Sequence, residues 1–224
     1  NLEDAQGRGE IVLLAQTDLG YTNLSKLLSK TLLDADAVHD PSCSLDDLEA
    51  QAEGPILLSG GALAGCVGAP AGDGRPTLAA ARADRLVAIF GDRFYIELQR
   101  HGLGIERTAE PHLLEIADRL NLPLVATNDC RFENAAMSQP HDTLVCIGTG
   151  RKFSETNRPR FSPEHYFKTA TQMSELFQDI PEAISNTLVI AKRCRTMARQ
   201  RDPILPPFES ADGRNEEDEL TAQA

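Results

Sequence analysis

Short apolar runs alternate along the chain with stretches in which apolar residues recur every three or four positions, and this alternation sets the expected elements. Ile11-Val12-Leu13-Leu14-Ala15 reads as a strand. After Gly20, residues Tyr21, Leu24, Leu27 and Leu28 fall at helical spacing, with Thr22 or Asn23 as the expected cap. Residues 35–44 read as a loop, and Ser44 followed by Asp46 and Asp47 opens a short helix. Ile56-Leu57-Leu58-Ser59 is a second strand that runs into Gly60-Gly61, and residues 65–74, rich in Gly, Ala and Pro, read as a flexible surface loop. A helix is expected over 77–90. The third strand, Phe94 to Gln99, alternates Tyr95, Glu97 and Gln99 on one face with Phe94, Ile96 and Leu98 on the other. A helix over 110–121 then leads into a fourth apolar run, Leu122-Pro123-Leu124-Val125-Ala126, whose polar exit is Thr127-Asn128-Asp129.

Strands separated by helical crossovers imply right-handed connections and a parallel sheet, so the fold class is α/β, with an incomplete barrel as the specific expectation. Beyond Phe132 the pattern loosens. Residues 143–147 read as a helix or short apolar turn ending at Gly148-Thr149-Gly150, and 151–163 as a polar loop carrying Arg151, Lys152, Arg158 and Arg160. Helices follow over 171–177 and 181–195, the second starting on Pro181. Residues 209–224 carry six acids against one Arg and read as a disordered linker.

Ligands in α/β folds sit at the carboxyl ends of the strands, which marks Asp129, and also Glu97 and His101, as candidate site residues. Asp129 could equally cap its loop through an Asx-turn. Glu97 and His101 could be ligands or acid–base groups, or a salt-bridged carboxylate and a satisfied loop histidine. Gly60-Gly61 lacks any surrounding phosphate-loop pattern.

Composition narrows the function classes. A formal charge of −12 over 224 residues argues against a free-standing nucleic-acid clamp. Cys43, Cys66, Cys130, Cys146 and Cys194 are scattered, with no CxxC pair, as expected of reduced thiols in a cytoplasmic protein rather than a disulfide framework or structural zinc site. The sequence shows no basic-then-apolar leader and no apolar run near eighteen residues, so neither export nor a membrane span is indicated.

Six blocks occur in one order: Leu13-Leu14-Ala15 with Gly20-Tyr21 and Asn23-Leu24; Leu57-Leu58-Ser59-Gly60-Gly61; Tyr95 to Gly102; Pro123 to Asp129; His141-Asp142 with Leu144; and Leu176-Phe177 with Asp179 to Ala183 and Asn186-Thr187. In these blocks the chain resembles the polymerase-and-histidinol-phosphatase (PHP) domain of bacterial DNA polymerase III alpha subunits. The resemblance implies a PHP-type (β/α) barrel over 1–208, N-terminally truncated because the family's opening His-x-His segment is missing here. It also implies an exit near Leu205-Pro206-Pro207-Phe208 and a linker, 209–224, toward the polymerase palm.

Metal-holding relatives often carry Cys where this chain has Gly61, and His where it has Arg131. Neither Gly nor Arg ligates a divalent ion, so Gly61, Asp129 and Arg131 are expected to be a vestigial metal site, with Arg131 supplying the missing positive charge. The implied parent is a Mg²⁺-dependent DNA polymerase working in the cytoplasm. This region would hold no metal and no catalytic residue, and would dock the proofreading exonuclease among other replicase subunits, with Arg151, Lys152, Arg158 and Arg160 as candidate contacts. DNA would be reached only through the parent protein. The alternatives are a metal-dependent phosphoesterase of the PHP class and the same domain of an error-prone paralogue.

Overall fold

The computed structural model describes residues 1–35, 41–197, 200, 202–203 and 213–224. The expected exit at Leu205-Pro206-Pro207-Phe208 and the start of the acidic segment lie outside the described residues. A hairpin, β1 (Leu2–Asp4) and β2 (Gly7–Gly9), precedes β3 (Val12–Ala15) and helix α1 (Asp18–Leu33). Then come α2 (Leu45–Ala50), β4 (Pro55–Leu58), α3 (Gly68–Gly72), α4 (Pro76–Phe90), β5 (Phe94–Leu98), α5 (Gly104–Leu120) and β6 (Leu124–Ala126). The chain continues through α6 (Ser138–Thr149), α7 (Ala170–Leu176), α8 (Pro181–Arg193) and α9 (Glu216–Gln223). α9 lies in the stretch expected to be disordered. Asn215 caps it by accepting from the Asp218 amide, and its first turn is acidic, as the helix dipole favours.

The main sheet has the order β3-β4-β5-β6. β4, β5 and β6 are parallel, as the crossover pattern predicts, but β3 pairs antiparallel to β4, Val12 opposite Leu58. Both faces are covered. Leu57, Phe94, Ile96 and Leu98 belong to the larger core with Ala79, Ala83, Leu86, Leu113 and Ile116 of α4 and α5. Ile56, Leu58, Tyr95 and Val125 face the other way, toward Ile190 of α8. The strict period of two in β5 therefore sorts its residues between two apolar layers rather than between core and water.

Residues 65–74 differ from the expected flexible surface loop. They contain α3, with Val67 and Ala71 fully buried. The glycines there serve close approach: a Cβ on Gly65 would stand 2.3 Å from the Gly60 carbonyl carbon, and one on Gly68 2.5 Å from the Gly61 carbonyl oxygen. α1 starts earlier than its periodicity suggests, because Thr17, rather than Thr22 or Asn23, caps it through the Gly20 amide. Ser44 caps α2 as expected and forms a reciprocal capping box with Asp47.

Candidate functional site

The parallel strands end side by side, and their exits build one cleft of about 480 Å³. From the β4 exit it takes Gly60 and Gly61, from β5 Glu97 and Gln99, and from the β6 exit Thr127, Asn128, Asp129 and Arg131; Glu10 and Phe161 complete the wall. Four of the positions singled out from sequence, Gly61, Glu97, Asp129 and Arg131, are thus brought together.

Glu97 is the buried centre, 4% exposed. One carboxylate oxygen accepts from the Gly60 amide at 3.1 Å, and the other from the Gln99 amide at 3.1 Å and from the Thr127 hydroxyl. Its own backbone N–H donates to the Ser59 hydroxyl at 2.9 Å. Burial pushes the Glu97 carboxyl above the usual glutamate range, and the three donors oppose that rise without cancelling it. Glu97 therefore ties three strand exits together, with all of its accepting oxygens engaged.

Asp129 and Arg131 lie on the outer lip. The guanidinium donates to Asp129 Oδ2 through Nε at 2.9 Å, with Nη2 at 2.8 Å, and it lies over the Phe161 ring at 4.8 Å from the centroid. The pair expected from sequence is formed, but it is partly solvated, with side-chain exposures of 45% for Arg131 and 31% for Asp129. The donor set does not suit a divalent ion. Gly61 has no side chain, Arg131 carries no lone pair to give, and among the described residues no three His, Cys, Asp or Glu side chains converge in metal-holding geometry. Gln99 fills the space beside Gly61, its Oε1 lying 2.0 Å from where a Cβ would stand.

His101 is not in the cleft lining. It is 1% exposed and faces α5, where its Nδ1 meets Glu106 Oε1 at 2.7 Å. The basic loop is largely occupied within the chain. Arg158 is turned inward onto Asp142 and Phe153, with a side chain only 2% exposed, which removes it as an accessible contact. Arg151 pairs with Glu155, Arg160 donates to the Glu155 carbonyl, and Arg151, Lys152 and Arg160 stay at the surface. Sequence reasoning missed His165 and Phe161, which sit in a polar stretch with no periodic signal. A larger, open hollow of about 870 Å³ lies between α1 and α8; of its polar lining, Thr17 caps α1 and Arg193 holds Asp92.

Residues 2–101 match the PHP domain family. The "DNA polymerase III subunit alpha" of Caulobacter vibrioides is 46% identical over 214 residues, 96% of this chain and 19% of that protein. The proteins of the same name from Rickettsia bellii and Pseudomonas aeruginosa are 39% and 38% identical, over 91% and 93% of this chain and 17% and 18% of their own lengths. The chain thus spans about a fifth of the length of the curated relatives it matches. On these matches the chain belongs to the DNA polymerase III alpha-subunit family, as its PHP region.

Proposed function

We propose that this region is a non-catalytic scaffold within a longer bacterial replicative polymerase, and that it docks the proofreading exonuclease subunit. The parent protein would carry out template-directed DNA synthesis in the cytoplasm, with Mg²⁺ held by carboxylates of a palm outside this region. The relatives' shared name supports the polymerase part. The mixed sheet with parallel β4, β5 and β6 is consistent with an incomplete PHP-type (β/α) barrel. The observation that carries the non-catalytic part is the Asp129–Arg131 pair, which sets a fixed cation against the Asp129 carboxylate at the cleft lip.

Two measurements test the reading. The purified chain, supplied with Mn²⁺ or Zn²⁺, is expected to hydrolyse a phosphomonoester no faster than a contaminant control. Turnover that disappears in Asp129→Ala would overturn the non-catalytic assignment. Mixed with the exonuclease subunit, the chain is expected to bind more weakly as salt rises, and more weakly again when Arg151, Lys152 and Arg160 are neutralised. Binding indifferent to both removes the basic loop from the docking surface, and no binding at any salt removes the docking role.

A further inference from the structure

The strongest feature outside the cleft is a pair of buried imidazoles. His101 and His165 stack with ring centroids 3.9 Å apart and planes 12° from parallel, at 1% and 0% exposure. Their tautomers follow from their partners. Glu106 is a carboxylate and only accepts, so His101 Nδ1 carries a proton toward it. The Ser162 hydroxyl donates to the His101 carbonyl at 2.8 Å, which leaves Ser162 as acceptor for His165 Nδ1, at 3.1 Å to the hydroxyl and 3.2 Å to the carbonyl. Both Nε2 atoms are buried, with no hydrogen-bond partner among the described residues.

His165 belongs to a strap, residues 161–167, that crosses the exit of β6. Its carbonyl accepts from the Arg131 amide at 2.7 Å, the Phe167 amide donates to the Phe132 carbonyl at 3.0 Å, and Asn128 Nδ2 donates to the Tyr166 carbonyl at 2.6 Å. Phe161 at the head of the strap stacks on Arg131 and meets His165 edge-on. The imidazole stack is therefore the buried attachment of the segment that walls the cleft.

We propose that the His101–His165 stack is a proton-sensitive latch, which holds the strap over the Asp129–Phe132 turn while His165 is neutral and releases it when His165 takes up a proton. A proton on His165 Nε2 would point an N–H into a buried site with no acceptor among the described residues and place a cation 3.9 Å from the facing ring. The charged and titratable neighbours do not remedy this. Glu106 on α5 is committed to His101 Nδ1 and to the His101 and Leu103 amides. Asp129 is held by Arg131, and Arg100 by Glu110 and Asp179. Arg107 donates to the Gly102 carbonyl, and Glu164 pairs with Lys168 within and beside the strap. His141 on α6 stands across Phe161. Burial first, and the His101 ring second, hold the His165 imidazole below the usual histidine range. A depressed histidine favours the closed strap above the ordinary value of about 6.5, and closure is lost as pH falls below it, because the open strap binds the proton more tightly.

Hydrogen exchange of the wild-type chain between pH 8 and 5.5, divided by the intrinsic rate at each pH, reads the latch directly. Below about pH 6.5 the Arg131, Phe132 and Phe167 amides should lose protection by up to about tenfold per pH unit, the limit for one linked proton. The Ile96 amide, bonded to the Pro123 carbonyl within the sheet, should keep its protection. His165→Phe, which stacks but cannot be charged, should abolish the dependence. NMR of the His165 Cε1 resonance in the wild type, which needs no variant, should show titration that tracks the loss of strap protection. Strap protection that is flat in pH, that falls equally in His165→Phe, or a His165 that titrates with the strap still closed overturns the proposal.

Discussion

Arg131 and Glu97 lie in one cleft, and their burial makes their substitutions behave differently. Because the Arg131–Asp129 pair is partly solvated, its loss should cost no more than about 1 kcal/mol, as exposed pairs do. The stacking on Phe161 adds about 0.5–1 kcal/mol. Arg131→Ala should therefore lower urea-unfolding stability by about 1–2 kcal/mol; a loss above about 4 kcal/mol would mean that Arg131 compensates a charge far more buried than Asp129. Glu97 titrates the other way from most acids. Burial raises its folded value above the ordinary ~4.5, so its contribution is full below that value and is lost as pH rises through the raised one. The stability of the wild type relative to Glu97→Gln should be greatest near pH 4.5 and fall toward neutrality. Urea melts across that range check the slope, and a difference that grows with pH refutes the assignment.

At the scale of elements, the hairpin β1–β2 is held to α4 by one side chain. Arg82 donates to both oxygens of Asp4, at 2.6 and 2.8 Å, and to the Cys66 and Gly7 carbonyls, with side-chain exposures of 8% for Arg82 and 11% for Asp4. Arg82→Ala strands that carboxylate and should cost about 3–5 kcal/mol. The hydrogen bonds from Arg82 hold the Asp4 carboxyl below its ordinary value of 3.8, so this contribution is present above that value and is lost as pH falls through the depressed one. The variant's acid-unfolding curve should be correspondingly flatter. What was legible at this scale was whatever local periodicity encodes. The alternation of β5, the capping of α2 by Ser44 and the Pro181 start of α8 are properties of neighbouring residues. The antiparallel pairing of β3 was not legible, because direction depends on how residues 16–54 return the chain, which the strand's own pattern does not record. α3 was hidden because Gly65 and Gly68 are there for backbone contact with Gly60 and Gly61, and such contacts look like a flexible loop when only composition is read.

For the molecule as a whole, Arg100 is the joint between the sheet and the C-terminal helices. It pairs with Glu110 of α5 and Asp179 ahead of α8, donates to the Leu176 carbonyl, and lies over Phe177 at 4.7 Å. Arg100→Ala should cost about 2–4 kcal/mol, as breaking a partly buried, multiply bonded charge does. Amide exchange should then rise in α7 and α8 before it rises in β5, and uniform exchange would show that the joint is not local. The cleft was half legible in the same sense. Asp129 and Glu97 follow from the rule that such folds place their sites at strand exits, which also marked His101, turned instead toward α5, whereas Gly61 and Arg131 came from the resemblance. Phe161 and His165 come from a segment more than thirty residues further on, and only the folded chain reveals that it crosses back.

Gln99 makes the cleft's residues at positions 61 and 99 depend on one another. Its amide occupies the space where a side chain at position 61 would start, and the same amide donates to Glu97 and Thr127. Gly61→Cys would evict Gln99 and undo those bonds, whereas in a Gln99→Ala background those amide atoms are no longer in its way. The effect of one substitution thus depends on the state of the other, with a coupling of about 0.5–3 kcal/mol as neighbouring sites show, readable from a double-mutant cycle. With Gly61 and a seated Gln99 both in place, Gly61→Cys alone should be costly, and the cost should fall once residue 99 has been shortened.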